Sequence, residues 1–240
     1  MVPIRKQVFD LTGYFFDLYI MKLSSETIEI LENFSKINGN LRIVKGNVLQ
    51  TVGEPASIFA RATLKETFPI NYGIYDLKQF LNTIAMFKDP DLNFSEEVLT
   101  IVDSADPSIH TEYYAADESI LTRIPNVKQL PTPHAMFTLS GANIKRLERA
   151  SSTLNCNSLR IHTDNGKILA VVYDKSGAIK NTFTIVLDPA YEGAPFDARI
   201  DIKKMTIVDG DYNCSYYEGK CVYFVNKDKE IEYLLSVEAV

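Results

Sequence analysis

The sequence predicts an α+β protein made of two similar domains, each with helices packed on antiparallel sheets. A serine-capped, amphipathic helix pattern occurs twice, about 116 residues apart. Alternating or β-branched runs, separated by glycine-containing turns, fill the rest of each copy. With 46% hydrophobic and 23% charged residues, the 240-residue chain has enough apolar material for a core in each half.

The first helix of each copy follows a serine at an N-cap position, Ser24 or Ser140. The apolar residues at a spacing of three or four are Ile28, Leu31 and Phe34 in the first copy and Ile144, Leu147 and Ala150 in the second. Short apolar runs follow, Leu41-Arg42-Ile43 and Leu159-Arg160-Ile161. Each copy therefore reads as a capped helix followed by a strand.

A second, shorter helix is predicted in each copy after Asp76 or Asp201, two further N-cap candidates. In the first copy an apolar stripe is formed by Leu77, Phe80, Leu81 and Ile84. Strands are expected at Lys167 to Val172, Asn181 to Leu187, Tyr212 to Tyr217, Cys221 to Val225 and Glu232 to Val237. The turns between them are Asn165-Gly166, Asp209-Gly210 and Glu218-Gly219.

These patterns divide the chain into four segments. We expect domains at residues 21–118 and 135–240, joined by a proline-rich connector at 119–134. Residues 1–20 are interpreted as an N-terminal extension outside the native protein, because a domain-like pattern begins at Met21. Acidic residues interrupt the apolar stretch in this extension, which argues against a secretory signal.

Charge is distributed unequally over the two copies. The net charge is −6, with a balance of −7 over residues 21–118 and −1 over 135–240. A simple nucleic-acid-coating protein would usually be basic. The candidate polyanion-facing residues are Lys145, Arg146, Arg149, Lys203 and Lys204 in the second copy and Lys22, Lys36 and Lys78 in the first. Three glutamates on the first helix, at positions 26, 29 and 32, oppose such a role there.

No catalytic, metal or cofactor motif is present in the sequence. It lacks a phosphate-binding glycine loop, a G-x-S-x-G elbow and an H-E-x-x-H pair. The three cysteines include no C-x-x-C pair, and the three histidines are isolated. We therefore predict a binding protein with no catalytic residue, no metal and no cofactor, in a reducing compartment.

From Met21 onward the chain resembles the sliding clamps of T-even-type bacteriophages, the processivity factors of their replicative DNA polymerases. The segments that carry the resemblance are MKLS at 21–24, LENFSKIN at 31–38, IYDLKQFL at 74–81, AADES at 115–119, Lys204-Met205 with Gly210-Asp211-Tyr212, and YLLSVEA at 233–239. The leader and the glutamate-rich first helix depart from the family pattern.

The resemblance implies the DNA-clamp fold and a homotrimer that closes head-to-tail into a six-domain ring, with helices lining the hole. It implies four kinds of partner: duplex DNA bound without sequence preference, an ATP-dependent clamp loader, a polymerase C-terminal peptide and late-transcription factors. It implies no association with a membrane. The peptide would dock near the connector, around Ile124, Pro125, Val127, Leu130 and Pro131. The expected location is the cytoplasm of the infected bacterial host.

Two other functions stay open from sequence. A duplicated-domain viral structural or assembly protein would share the repeat without any DNA role. A monomeric DNA-binding processivity factor would share the fold without closing a ring.

Overall fold

The computed structural model describes residues 2–9, 15–126 and 129–238. The chain forms two compact units, one of Met1–Val52 with Arg61–Pro125 and one of Gly53–Ala60 with Asn126–Val240. The step between Pro125 and Asn126 falls inside the predicted connector. The assignment of residues 53–60 to the second unit was not predicted, since it depends on contacts distant in sequence.

Among its described residues, the first unit contains two α-helices and a set of strands, the longest of which begins in the second unit. Its elements are β1 (Ile4–Phe9), β2 (Phe15–Met21), α1 (Ser25–Ile37), β3 (Leu41–Ile43), β4 (Gly46–Val52), β5 (Ile58–Phe68), β6 (Tyr72–Ile74), α2 (Leu77–Ile84), β7 (Asp91–Phe94), β8 (Val98–Val102) and β9 (His110–Tyr114). A 3₁₀ helix (Glu118–Ile120) follows.

The larger sheet of the first unit has the order β1-β2-β7-β8-β9, and its neighbouring strands are antiparallel. Strand β2 pairs Tyr19 with Phe94 and Ile20 with Asn93. Part of the predicted extension therefore lies in a sheet. That residues 1–20 are an extension outside the native protein stays a prediction.

A buried carboxylate fixes the start of α1. Ser24 caps the helix through its side chain, which accepts a hydrogen bond from the Thr27 N–H. Glu66 on β5 is only 3% exposed. Its carboxylate accepts hydrogen bonds from the Ser24 N–H at 2.5 Å and from the Thr27 hydroxyl at 2.7 Å. Because helix N-termini carry partial positive charge, a carboxylate there is favourable.

Among its described residues, the second unit contains one α-helix and the eight remaining strands. Its elements are β10 (Ala135–Leu139), α3 (Gly141–Leu154), β11 (Ser158–Asp164), β12 (Lys167–Tyr173), β13 (Phe183–Asp188), β14 (Asp197–Asp201), a 3₁₀ helix (Ile202–Lys204), β15 (Tyr212–Tyr217), β16 (Cys221–Asn226) and β17 (Ile231–Ser236). All five predicted strands are confirmed within two residues at either end.

Two antiparallel sheets build the second unit. One runs β10-β15-β16-β17 and continues to the start of β5, where the Ser236 N–H donates to the Ser57 carbonyl at 3.0 Å. The other has the order β13-β12-β11-β14. Asn165 and Gly166 both have positive φ, 47° and 70°, which suits the tight turn between β11 and β12.

The predicted repeat is present with one correction. In each unit the first helix follows its serine cap, and α1 contacts α2 as α3 contacts the 3₁₀ helix of the second unit. The segment after Asp201 was predicted as a short helix like α2, but it forms only a three-residue 3₁₀ turn. It lacks the apolar stripe of α2, so there is little surface to bury along a longer helix.

Candidate nucleic-acid interface

The basic face of α3 lies opposite the side that the helix buries. The buried side consists of Ile144, Leu147 and Ser151. Lys145, Arg146 and Arg149 are exposed. With about 100° of rotation per residue, Arg146 and Arg149 lie on either side of the line opposite the buried stripe. The sequence prediction of a basic, solvent-facing side of this helix is therefore confirmed.

Capping interactions hold α3 in place at both ends. At its start the Ser140 hydroxyl accepts from the Asn143 N–H at 3.2 Å, and the Asp211 carboxylate accepts from the Gly141 N–H at 2.8 Å. At its end Asn155 adopts the left-handed conformation, with φ of 52°, that commonly terminates helices. The position of the basic face is thus set by capping interactions at both ends of the helix, one of which comes from the distant Asp211.

The three basic residues of α3 differ in their partners. Lys145 forms an ion pair with Asp209, with Nζ and Oδ2 2.6 Å apart. Among the residues whose side chains the structure describes, neither Arg146 nor Arg149 forms an ion pair with an acidic residue. The two arginines are therefore the side chains of this helix with charge available to a bound polyanion.

The 3₁₀ helix of the second unit adds further positive charge beside α3. Its cap, Asp201, accepts a hydrogen bond from the Lys203 N–H at 3.0 Å, and Ile202 is buried. Lys203 and Lys204 are exposed, and the 3₁₀ helix contacts α3. The structure thus brings together the two basic segments that the sequence places more than fifty residues apart.

The corresponding helices of the first unit have a different charge pattern. Lys36 on α1 and Lys78 on α2 are exposed, as predicted. The outward side of α1 also carries Glu29 and Glu32, and Lys36 is the one basic residue within that helix. This arrangement agrees with the expectation that the glutamate-rich helix is a poor surface for a polyanion.

Lys22 does not present free charge to solvent. Its ammonium group donates to the Asp89 carboxylate and to the Ser104 hydroxyl, and lies 3.8 Å from Asp91. The hydrogen bond to Asp89 and the charges of both aspartates raise the pKa of Lys22. Because this charge is already compensated, Lys22 is a weak candidate for a DNA contact, and its predicted role has no support from the geometry.

Exposed apolar side chains occur near the start of the connector. Val44 is 50% and Ile120 is 57% exposed. Arg42 and Glu118, neighbours of these residues in sequence, form an ion pair of 2.7 Å. Val44 and Ile120 could not be recognised from the sequence, because an apolar residue indicates an exposed surface only when its burial is known.

The predicted peptide neighbourhood is only partly described. Pro125 and Pro131 are exposed, and Ile124 and Leu130 are half-buried. Val127 lies outside the described residues. Their assignment to a peptide site stays a prediction.

The described residues show no sign of a metal site or of a membrane-spanning helix. Among the residues that the structure describes, no group of three or more His, Cys, Asp or Glu side chains could hold a metal ion. In the same residues no helix is long and apolar enough to cross a membrane.

Comparison with solved structures defines the class of fold. The chain matches proliferating cellular nuclear antigen from Entamoeba histolytica with a TM-score of 0.66 and 11% identity, covering 92% of this chain and 98% of that one. It matches A. fulgidus PCNA, solved with the C-terminal region of FEN-1, with a TM-score of 0.68 and 12% identity, covering 93% and 98%. The chain therefore has the DNA-clamp fold, as the sequence analysis predicted.

Sequence relatives narrow the class further. The chain is 28% identical to the sliding clamp of Vibrio phage KVP40 over 225 residues, covering 92% of this chain and 100% of the relative. It is 26% identical to the sliding clamp of Escherichia phage RB69 and 24% identical to that of Enterobacteria phage T4, each covering 91% of this chain and 97% of the relative. No protein-family model matches the chain. These relatives confirm the resemblance to T4-like phage sliding clamps and support function as a DNA sliding clamp in processive replication.

Proposed function

We propose that three copies of this chain close head-to-tail into a ring around duplex DNA and tether the replicative polymerase to its template. The observation that carries the DNA role is the exposure of Arg146 and Arg149 on α3, with no acidic partner among the described side chains, beside Lys203 and Lys204 on a net acidic chain. A ring holds DNA by topology, so its phosphate contacts need only be weak and independent of sequence. An acidic remainder disfavours binding of DNA elsewhere on the protein.

Two strands at sheet edges, one in each unit, support the ring proposal. Strand β9 ends the large sheet of the first unit, and β13 ends one sheet of the second. Edge strands present unpaired backbone groups that can pair with another chain. Pairing β9 of one copy with β13 of the next would be a heterologous contact, which generates a ring when its rotation closes.

The hydrogen-bond pattern identifies the outward groups of β9. The Asp103 N–H donates to the Ile109 carbonyl at 3.0 Å, and the Ala115 N–H donates to the Glu97 carbonyl at 2.9 Å. Bonded and non-bonded pairs alternate along an antiparallel ladder. Glu112, opposite Thr100, therefore belongs to a non-bonded pair, and its N–H and carbonyl point away from β8.

The partner proposals follow from the relatives and from the exposed apolar residues. One similar clamp, from A. fulgidus, is described bound to the C-terminal region of FEN-1. By analogy, a C-terminal peptide of the polymerase would dock on Val44, Ile120 and the neighbouring connector. An ATP-dependent loader would open the ring, and late-transcription factors would use the same peptide site. The protein would act by binding, without catalysis, in the cytoplasm of the infected bacterium.

The mass in solution tests the assembly. A homotrimer of this 27.1 kDa chain has a mass of about 81 kDa. Light scattering over a concentration series should approach this mass. Glu112→Pro removes one outward N–H and should give monomers, while Glu112→Ala keeps that N–H and should assemble.

A wild-type chain that stays monomeric at the highest concentration would overturn the ring and favour the monomeric DNA-binding factor. A trimer with no affinity for DNA would favour the viral structural protein instead.

A further inference from the structure

The segment between the 3₁₀ helix and β15 in the second unit lies against the start of α3. Its Asp211 carboxylate accepts the Gly141 N–H hydrogen bond at 2.8 Å. The backbones approach so closely that a Cβ atom on Gly141 would lie 2.9 Å from the Gly210 carbonyl oxygen. We call residues 206–211 the acidic loop, because it carries Asp209 and Asp211.

Packing holds the acidic loop from the side opposite α3. Gly210 has a φ of +150°, and a Cβ atom there would lie 2.5 Å from the Asn226 side-chain nitrogen. Val208 is buried, and its N–H donates to the Tyr233 hydroxyl at 3.1 Å. The Tyr212 hydroxyl donates to the Val208 carbonyl at 2.5 Å. Asp209 is therefore carried on a backbone whose neighbours on both sides are fixed.

Asp209 places negative charge directly on the basic face of α3. Its carboxylate lies 2.6 Å from the Lys145 ammonium group, and both side chains are largely exposed. Burial and the nearby Asp209 raise the pKa of Glu148, so that carboxyl also lies within reach of the pair. The charge of Lys145 is thus offset by acidic groups, whereas Arg146 and Arg149, on the same helix, have no ion-pair partner in the part of the chain that the structure describes.

We propose that Asp209 competes with DNA phosphate for Lys145 and thereby limits how firmly the second unit holds DNA. This inference rests on the proposed DNA role of α3. A phosphate that approaches Lys145 must displace the Asp209 carboxylate and lie beside its negative charge. The pair therefore removes one cation from the set that can release counterions when DNA binds. Weak contact of this kind favours sliding over stationary binding.

Asp209→Asn tests the proposal because it removes the charge and keeps the shape of the side chain. The observed affinity of the full chain for a short fluorescent duplex would be measured by anisotropy at several KCl concentrations. For each chain of the ring that contacts the duplex, the slope of log Kobs against log salt should become steeper by about 0.9, the contribution of one additional phosphate contact. Glu192→Gln is the matched control, since it removes one acidic charge from another exposed loop of the same unit.

A second substitution separates competition from a general charge effect. Lys145→Ala should change the slope little in the wild-type background, where Asp209 occupies the lysine. In the Asp209→Asn background the same substitution should return the slope to the wild-type value. The proposal is overturned if Lys145→Ala makes the salt slope shallower by the value of one phosphate contact in both backgrounds. It is also overturned if Asp209→Asn changes the slope no more than Glu192→Gln does.

The salt slopes of the wild-type chain, the arginine variant and Asp209→Asn together separate failure of the competition from failure of the proposed DNA role. Loss of DNA affinity on removal of Arg146 and Arg149, with no effect of Asp209→Asn, would overturn the competition alone. No salt-dependent affinity in the wild-type chain would overturn both. Thermal unfolding of Asp209→Asn should remain close to wild type, and a large loss of stability would show that Asp209 has a structural role at the start of α3 instead.

Discussion

The double substitution Arg146→Ala and Arg149→Ala gives the most informative perturbation of the proposed DNA face. Both side chains are exposed, and the described residues provide them with no acidic partner. Their removal should cost about 0.5 kcal/mol of stability or less, as usual for exposed positions. If each arginine contacts one phosphate, the slope of log Kobs against log salt should become shallower by about 1.8 for each chain of the ring that contacts the duplex. When the salt rises from 50 to 200 mM, a change of about 1.8 in this slope makes the loss of affinity differ roughly tenfold between variant and wild type.

The assay is anisotropy of a short duplex at several KCl concentrations, combined with processive synthesis by the cognate polymerase. Lys167→Ala with Lys220→Ala is the matched control, because both lysines are exposed and lie at turns of the second unit. The control should keep the wild-type salt slope. An unchanged slope in the arginine variant, or an equal change in the control, would show that α3 does not face DNA.

Two further predictions concern residues whose charge is used inside the protein. Glu66→Gln should lower the free energy of unfolding at neutral pH by about 1–2 kcal/mol, because the buried carboxylate accepts hydrogen bonds from Ser24 and Thr27. Burial opposes ionisation of Glu66, but these hydrogen bonds outweigh it and lower its pKa below the usual 4.5. The stabilisation is therefore complete above pH 4.5 and is lost as the pH falls through the lowered pKa, so urea titrations of wild type and variant should converge in acid. Lys22→Ala should leave the salt slope of DNA binding unchanged, since Lys22 is paired with Asp89; a loss of one contact would restore Lys22 to the DNA face.

Local patterns in the sequence were sufficient for the elements that support the site. Ser24 and Ser140 are followed by helices because a serine hydroxyl can accept an N–H at the start of a helix. The stripe containing Ile144 and Leu147 predicts which side of α3 is buried, and with it the exposure of Arg149. These inferences need only a few consecutive residues, and the structure confirms them.

The parts that could not be predicted depend on pairing between distant residues. Lys22 and Asp89 are separated by 67 positions, and nothing in either local sequence indicates that they meet. The same holds for Lys145 and Asp209, and for Glu66 and its hydrogen-bond partners Ser24 and Thr27. Consequently the sequence proposed eight candidate basic residues but could not show which of them, such as Lys22 and Lys145, are paired with acidic groups.

We propose that the protein holds DNA by encircling it. The most direct test loads the chain onto nicked circular DNA and onto the same DNA made linear, and measures how much protein remains with each after gel filtration at moderate salt. A closed ring should stay on the circle and slide off the free ends, and blocking both ends with bulky protein should restore retention. Equal retention on circular and linear DNA would contradict encirclement and show that the protein is held by direct contact instead.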